Sequence, residues 1–199
     1  MTTVGLLLAA GAGRRMGGPK ALVRPDPGGP TMLETTLDRL LHAGLERVVA
    51  VVGAAAEETA PLAESAGAMA VVAPGWDEGM GASLRAGLDH LAATAPADVD
   101  AALVTLVDLP DVGTRVHRRV LGAGRGVGAG VLLRAEFAGR PGHPVLIGRD
   151  HWAGVVASAA GDRGARDYLV EHPPLPVECG DLATGHDVDT PDGLAAGSP

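Results

Sequence analysis

The sequence specifies an open α/β fold with a mostly parallel sheet and helices on both faces. Short apolar, β-branched runs alternate with stretches of helical period through the first half of the chain, the pattern of right-handed βαβ units. A glycine-rich segment follows the first apolar run directly, where such sheets bind ligands at the carboxyl ends of their strands. The 199 residues, 46% hydrophobic and 20% charged, suffice for one such domain over 1–199, and no linker, composition break or internal repeat divides them.

The elements follow in order. Val4 to Ala9 is a continuous apolar run stopped by Gly11 and Gly13, as expected of a strand buried on both faces. Thr31 precedes a helix in which Leu33, Leu37, Leu40 and Leu41 share one face, ending at Gly44. Arg47 to Val52 reads as the next strand, Ala54 to Ser65 as a helix and Met69 to Val72 as a strand. Ser83 to Leu91 is a helix with Leu84, Leu88 and Leu91 inward, and Ala101 to Val107 a strand closed by Asp108. Beyond residue 125 the pattern weakens. Val127 to Leu133 and Pro144 to Ile147 are expected strands, Asp162 to Val170 a helix, Leu175 to Glu178 a late strand and Thr190 to Leu194 a short helix.

Composition excludes several functions. Aromatic residues are only 2%, too few for a stacking platform on single-stranded nucleic acid, and the formal charge of −8 disfavours a duplex-binding face. Cys179 is the only cysteine, which leaves no internal disulfide and no thiolate cage and reads as a buried structural thiol. His42, His90 and His117 are expected on helix surfaces, and the seven histidines show no zinc-site spacing. The opening apolar run is too short to span a bilayer and lacks the basic stretch of a secretory signal, so the expectation is a soluble cytoplasmic protein without nucleic-acid or membrane partners.

Against the acidic total, Met1 to Pro25 carries Arg14, Arg15, Lys20 and Arg24 with no acid, and Lys20 is the only lysine of the chain. The segment LAAGAGRRMGGPKAL, Leu8 to Leu22, joins these charges to Gly11, Gly13, Gly17 and Gly18, which can adopt positive φ and bring N–H groups close to an anion. This combination suits a nucleoside triphosphate. It is not a Walker A loop, because Ala21 rather than Ser or Thr follows Lys20. Nor is it a dinucleotide fingerprint, because the spacing is GxGxxxG and Pro19 interrupts the run into a helix. Asp108, at a strand end ahead of Leu109 and Pro110, is placed to hold Mg²⁺ against the α-phosphate, since Mg²⁺ binds through one or two carboxylates plus phosphate oxygens.

These residues resemble the signature of the nucleotidyltransferase superfamily, and the rest of the chain resembles its MobA-like branch, the molybdenum cofactor cytidylyltransferases in particular. EGMGASLRAGL (Glu78 to Leu88), LVTLVDLP (Leu103 to Pro110), GRPGHPVL (Gly139 to Leu146), GDRGAR from Gly161 and DVDTPDGL from Asp187 extend the likeness over nearly the whole chain. The resemblance implies a Rossmann-like three-layer α/β/α fold of the nucleotide-diphospho-sugar transferase type. It also implies an Mg²⁺-dependent transfer of CMP or GMP from a nucleoside triphosphate to a phosphorylated acceptor, molybdopterin first, with release of pyrophosphate. Relatives that activate a sugar phosphate, methylerythritol phosphate or phospholactate form the alternative, and a non-catalytic nucleotide-binding regulator a further one.

By the same resemblance, Arg15, Lys20 and Asp108 are catalytic, and Asp189 completes the metal site with Asp108, Asp187 being less certain. Asp189 equally suits the cap of the short helix after it. Leu8, Ala9, Gly11, Gly13, Arg14, Gly79, Met80 and Ser83 would border the nucleotide; Arg140, His143 and Arg166 would border the acceptor, with His143 between prolines read as a positioned turn residue. Ala73-Pro74 stands where relatives often carry Asn-Pro, which leaves the choice between cytosine and guanine open. A molybdoenzyme or maturation factor is the partner that would receive the product.

Overall fold

The computed structural model describes residues 1–196. Its seven strands form one sheet: β1 (Thr2–Leu8), β2 (Val48–Val52), β3 (Met69–Val72), β4 (Val99–Leu106), β5 (Leu132–Phe137), β6 (Arg140–Gly148) and β7 (Leu175–Glu178), in the order β3-β2-β1-β4-β6-β5-β7. β6 runs antiparallel to both its neighbours, and every other pairing is parallel. The central strands read as unbroken apolar runs because both faces are covered. On one face Leu7, Ala50 and Leu103 pack under α1 (Met32–His42), α2 (Ala56–Ser65) and α4 (Thr114–Ala123). On the other, Leu6, Val51 and Val104 pack under α3 (Met80–Thr94) and α5 (Arg149–Ser158).

Local chemistry explains the better-read elements. α1 opens with a capping box: the Glu34 amide donates to Thr31 Oγ1 at 3.1 Å, and Glu34 Oε2 accepts from the Thr31 amide at 2.7 Å. Leu33, Leu37 and Leu40 are fully buried on its inner face. α3 begins at Met80, three residues before the helix that Ser83 signals, with Gly79 as its cap.

The second half departs more from expectation. Gly128–Gly130 forms a 3-10 turn, so the strand expected over 127–133 starts at Leu132 and continues to Phe137. The helix expected over 162–170 is split into a 3-10 turn, Gly161–Arg163, and α6 (Arg166–Glu171), because Gly164 between them has φ +53°. The last helix, α7, spans Pro191–Ala196. His117 is a correction: it lies on the inner face of α4 between Val116 and Val120, fully buried, with neither ring nitrogen hydrogen-bonded. Burial, with the Arg39 charge, pulls its pKa to about 4, so it resides in the core as a neutral ring. Cys179 is buried as expected, and no helix among the described residues is long and apolar enough to cross a membrane.

Candidate functional site

The carboxyl ends of β1 and β4 face a cavity of about 460 Å³. Its rim is the loop after β1, which is folded on itself: the Met16 and Gly18 amides both donate to the Gly13 carbonyl, and Pro19 leads into a 3-10 turn over Lys20–Leu22. Gly13 has φ +58°, and a Cβ there would sit 1.9 Å from the Gly18 oxygen, so only glycine closes this turn. Gly17 also has positive φ, whereas Gly11 and Gly18 do not. Burial of Ala21 and Met16 anchors the turn and leaves Arg14, Arg15 and Lys20 on the cavity wall.

Facing this loop, β4 ends at Leu106 and the chain turns through Asp108. The Val188 amide donates to the Asp108 carbonyl at 2.9 Å, and this bond, with burial of the Val188 side chain, fastens the distant DVDTP segment beside β4. Asp187 and Asp189 flank that anchor. One carboxylate oxygen from each of Asp108, Asp187 and Asp189 lies within 4.8 Å of the others. Lys20 Nζ donates to Asp108 Oδ2 at 2.7 Å and to Asp189 Oδ1 at 2.6 Å, and Arg15 pairs with Asp189 Oδ2 at 2.9 Å. Asp189 therefore turns to the cations and not to the helix after it, whose first turn is served by Thr190 Oγ1 accepting from the Gly193 amide.

The electrostatics follow from these contacts. Burial disfavours the charged Lys20, but its hydrogen bonds to the two aspartates outweigh that and raise its pKa above the ordinary lysine value. The same bond from Lys20, aided by the charges of Lys20 and Arg15, holds Asp189 below the ordinary aspartate value despite some burial. Asp108 Oδ1 is buried without a hydrogen-bond partner. An unsatisfied carboxylate oxygen beside two further carboxylates is the donor set of a hard divalent cation, so the residues present fit a metal such as Mg²⁺.

The remaining wall comes from β1 and from the start of α3. Leu8, Ala9 and Gly11 line one side, and Gly79, Met80 and Ser83 the other. Gly79 has φ +114°, and a Cβ there would lie 2.6 Å from the Gly161 carbonyl carbon and from Asp162 Oδ1, so the entry to α3 passes flush against the 161–163 turn. The free N–H groups of a helix N-terminus beside this wall favour an anion. All the residues expected at the nucleotide thus share one cavity with the three expected to be catalytic and with Asp189.

A second cavity, of about 420 Å³, adjoins the first and shares Leu8, Met80 and Asp162 with it. His143 and Arg166 line it as expected. Burial, with the Arg134 charge, lowers the His143 pKa to about 4, so the ring is neutral near pH 7. Arg140 does not line it; its Nη1 lies 2.9 Å from His186 Nε2 on the exposed side of the 140–186 contact, because β6 begins there and turns the residue outward. Arg134 lines the cavity and was not singled out by its sequence. The signal was present: in LLRAEF it is a charge at a central strand position, hidden by ending that strand at Leu133.

Residues 5–175 match the family model described as the MobA-like NTP transferase domain. The chain belongs to this family. It is accordingly an enzyme of the nucleotidyltransferase type. Among characterised relatives, nicotine blue oxidoreductase of Paenarthrobacter nicotinovorans is 37% identical over 196 residues, covering 94% of this chain and 91% of that protein. The crystal structure of Rv0371c from Mycobacterium tuberculosis H37Rv is similar with a TM-score of 0.78 at 26% identity, over 98% of this chain and 96% of that one. The structure of Rv0371c in complex with manganese superposes with a TM-score of 0.73 at 26% identity, over 98% and 97% of the two chains. A metal-bound relative and the aspartate cluster here together support a divalent-metal site.

Proposed function

We propose that the protein transfers CMP or GMP from a nucleoside triphosphate to a phosphate monoester, molybdopterin being the first acceptor to test, and releases pyrophosphate. The observation that carries this reading is Lys20 Nζ held between Asp108 and Asp189, beside an unpartnered Asp108 oxygen. That array addresses the central need of the reaction, which is neutralising a polyphosphate while keeping its α-phosphorus open to attack.

An acceptor phosphate oxygen attacks the α-phosphorus; the new P–O bond forms as the bond to the pyrophosphate oxygen breaks, and pyrophosphate carries away the electron pair. A phosphate monoester has its second pKa at about 6 and is already largely dianionic near neutrality, so no general base is required. Asp108 and Asp189, with Asp187 near them, would hold Mg²⁺, which when bound offsets triphosphate charge and polarises the α-phosphoryl oxygens. Lys20 and Arg15 move their hydrogen bonds from the aspartates to the β- and γ-phosphates and to the leaving pyrophosphate. Gly11, Gly13 and Arg14 close over the same tail, while Leu8, Ala9, Gly79, Met80 and Ser83 border the base and sugar. The second cavity receives the acceptor, with Arg166 on its phosphate. Residues 1–199 act in this reading as one domain, since both cavities open on a single sheet.

The test is pyrophosphate release by purified protein with Mg²⁺, each of CTP, GTP, ATP and UTP, and molybdopterin. Release with CTP or GTP supports the reading. Release only with a sugar phosphate, methylerythritol phosphate or phospholactate redirects the acceptor, and none with any pair removes transfer in favour of a nucleotide-binding regulator. The name of the 37% identical relative motivates a second reading, an oxidoreductase acting in the same cavity. Loss of the nicotine blue absorbance on reduction, in the absence of pyrophosphate release, selects it.

A further inference from the structure

β5 alternates as a strand must: Leu133 and Ala135 are buried toward α1, α2 and α4, which turns Arg134 to the opposite face. There it stands in register with Val145 of β6, on the face that buries Val104 and Ile147. A guanidinium from mid-strand therefore emerges among aliphatic side chains, at a position where a strand of this kind normally adds to the core. Arg134 Nε is buried with no hydrogen-bond partner, and among the described residues the guanidinium has no ion pair. Its neighbours do not compensate it. Arg163 is engaged by Asp167, His143 is neutral, and the one carboxylate on this cavity, Asp162, sits on the boundary with the cradle. A half-buried guanidinium without an acceptor is under-satisfied, and a ligand that brings an acceptor to it gains a charge-assisted hydrogen bond.

We infer that Arg134 is a specificity determinant of the second cavity, donating from the part of its guanidinium that lines the cavity to an acid or carbonyl group that the acceptor carries in addition to its reacting phosphate. The inference rests on the reading of this cavity as the acceptor site and narrows the acceptor class. It is a compact phosphate monoester with a rigid, partly apolar body, lying on Leu84, Val104 and Ile147, and with a second hydrogen-bond-accepting group remote from the phosphate. A plain alkyl phosphate lacks that second group and leaves Arg134 unsatisfied. Arg166 grips the phosphate, so the two arginines divide the ligand between them.

Two probes of similar shape test this: 4-carboxyphenyl phosphate, which has the second acid, and 4-methylphenyl phosphate, which lacks it. Calorimetric titration of the wild-type protein should show the acid-bearing probe binding about tenfold tighter or more, a charge-assisted hydrogen bond expressed as affinity. The preference should fall to near unity in Arg134→Met, fall partly in Arg134→Lys, which keeps the charge but not the planar guanidinium, and persist in Lys20→Ala. Failure of the acid-bearing probe to bind, equal affinities in the wild type, or a preference that survives in Arg134→Met overturns the inference. Should Arg134→Met fail to fold by circular dichroism, Arg134→Lys and the wild-type ratio decide. Probe binding needs no turnover, so the two readings fail separately. An intact preference in a protein that never releases pyrophosphate removes transfer alone, and pyrophosphate release with equal probe affinities removes the Arg134 assignment alone.

Discussion

The two adjoining cavities carry similar numbers of cations and treat them in opposite ways. In the first, Lys20 and Arg15 are tied to Asp108 and Asp189 before any ligand arrives, and the surplus lies with the carboxylates. In the second, Arg134 and Arg166 face aliphatic walls with little acid to meet them. A polyphosphate entering the first site meets like charge as well as unlike, so it needs a divalent cation as intermediary. An anion entering the second meets Arg134 and Arg166 with one carboxylate, Asp162, at the boundary, and can bind directly. The contrast suits a transfer reaction, in which one substrate must be neutralised and activated while the other must only be gripped and aligned.

The largest effect is expected at the carboxylates. Asp108→Asn should lower turnover by about 10³-fold with the circular dichroism spectrum unchanged, since it removes the unpartnered oxygen that would face the metal. Full activity in that variant would place the metal elsewhere. Next, Lys20→Ala should weaken triphosphate binding by about 10- to 100-fold, and monophosphate binding much less, by loss of charge-assisted hydrogen bonds to the tail. Calorimetry with CTP and CMP measures the split, and an equal loss for both would detach Lys20 from the β- and γ-phosphates. In the second cavity, Arg166→Met should raise the acceptor KM by about tenfold and leave the nucleotide KM unchanged.

Smaller effects separate the cavities further. His143 stays neutral down to about pH 4, so it should contribute no ionisation to the acceptor's pH profile between about pH 5 and 8. As pH falls through its second pKa of about 6, the acceptor loses charge and its KM should rise; His143→Gln should keep the shape of that profile. A profile that loses an ionisation in His143→Gln would make the ring a participant. Arg140→Ala should change the acceptor KM by less than about twofold, the ordinary scale of an exposed side chain's interaction, because Arg140 points to His186 and away from the cavity.

What the sequence disclosed differs between the same two regions. The cradle was legible because its chemistry is local: a strand, a glycine turn, two arginines and the only lysine lie within fifteen residues, Leu8 to Leu22. Asp108 was legible as an acid ending an apolar run. That Asp187 joins the cluster was not, because it depends on a single hydrogen bond from the Val188 amide to the Asp108 carbonyl, across a separation that no periodicity reports. The second cavity is assembled from β5, β6, α3 and the 161–166 turn, and its key residue sits inside a strand. Reading LLRAEF as a strand only to Leu133 removed Arg134 from view, and Arg140 drew attention in its place by standing in a motif. His117 shows the same limit inside the fold: a polar residue beside Val116 and Val120, in a helix otherwise rich in arginine, reads as surface until the packing of α4 on β6 and β5 is known.

Titration of the four nucleoside triphosphates into the wild-type protein, with Mg²⁺ and then with a chelator, addresses the charge-compensated cradle most directly. One triphosphate should bind on the order of a hundredfold more tightly with Mg²⁺, and Asp108→Asn should abolish most of that gain. Equal affinity with and without the cation, or a gain undiminished in Asp108→Asn, would mean that Lys20 and the aspartates do not form a polyphosphate site.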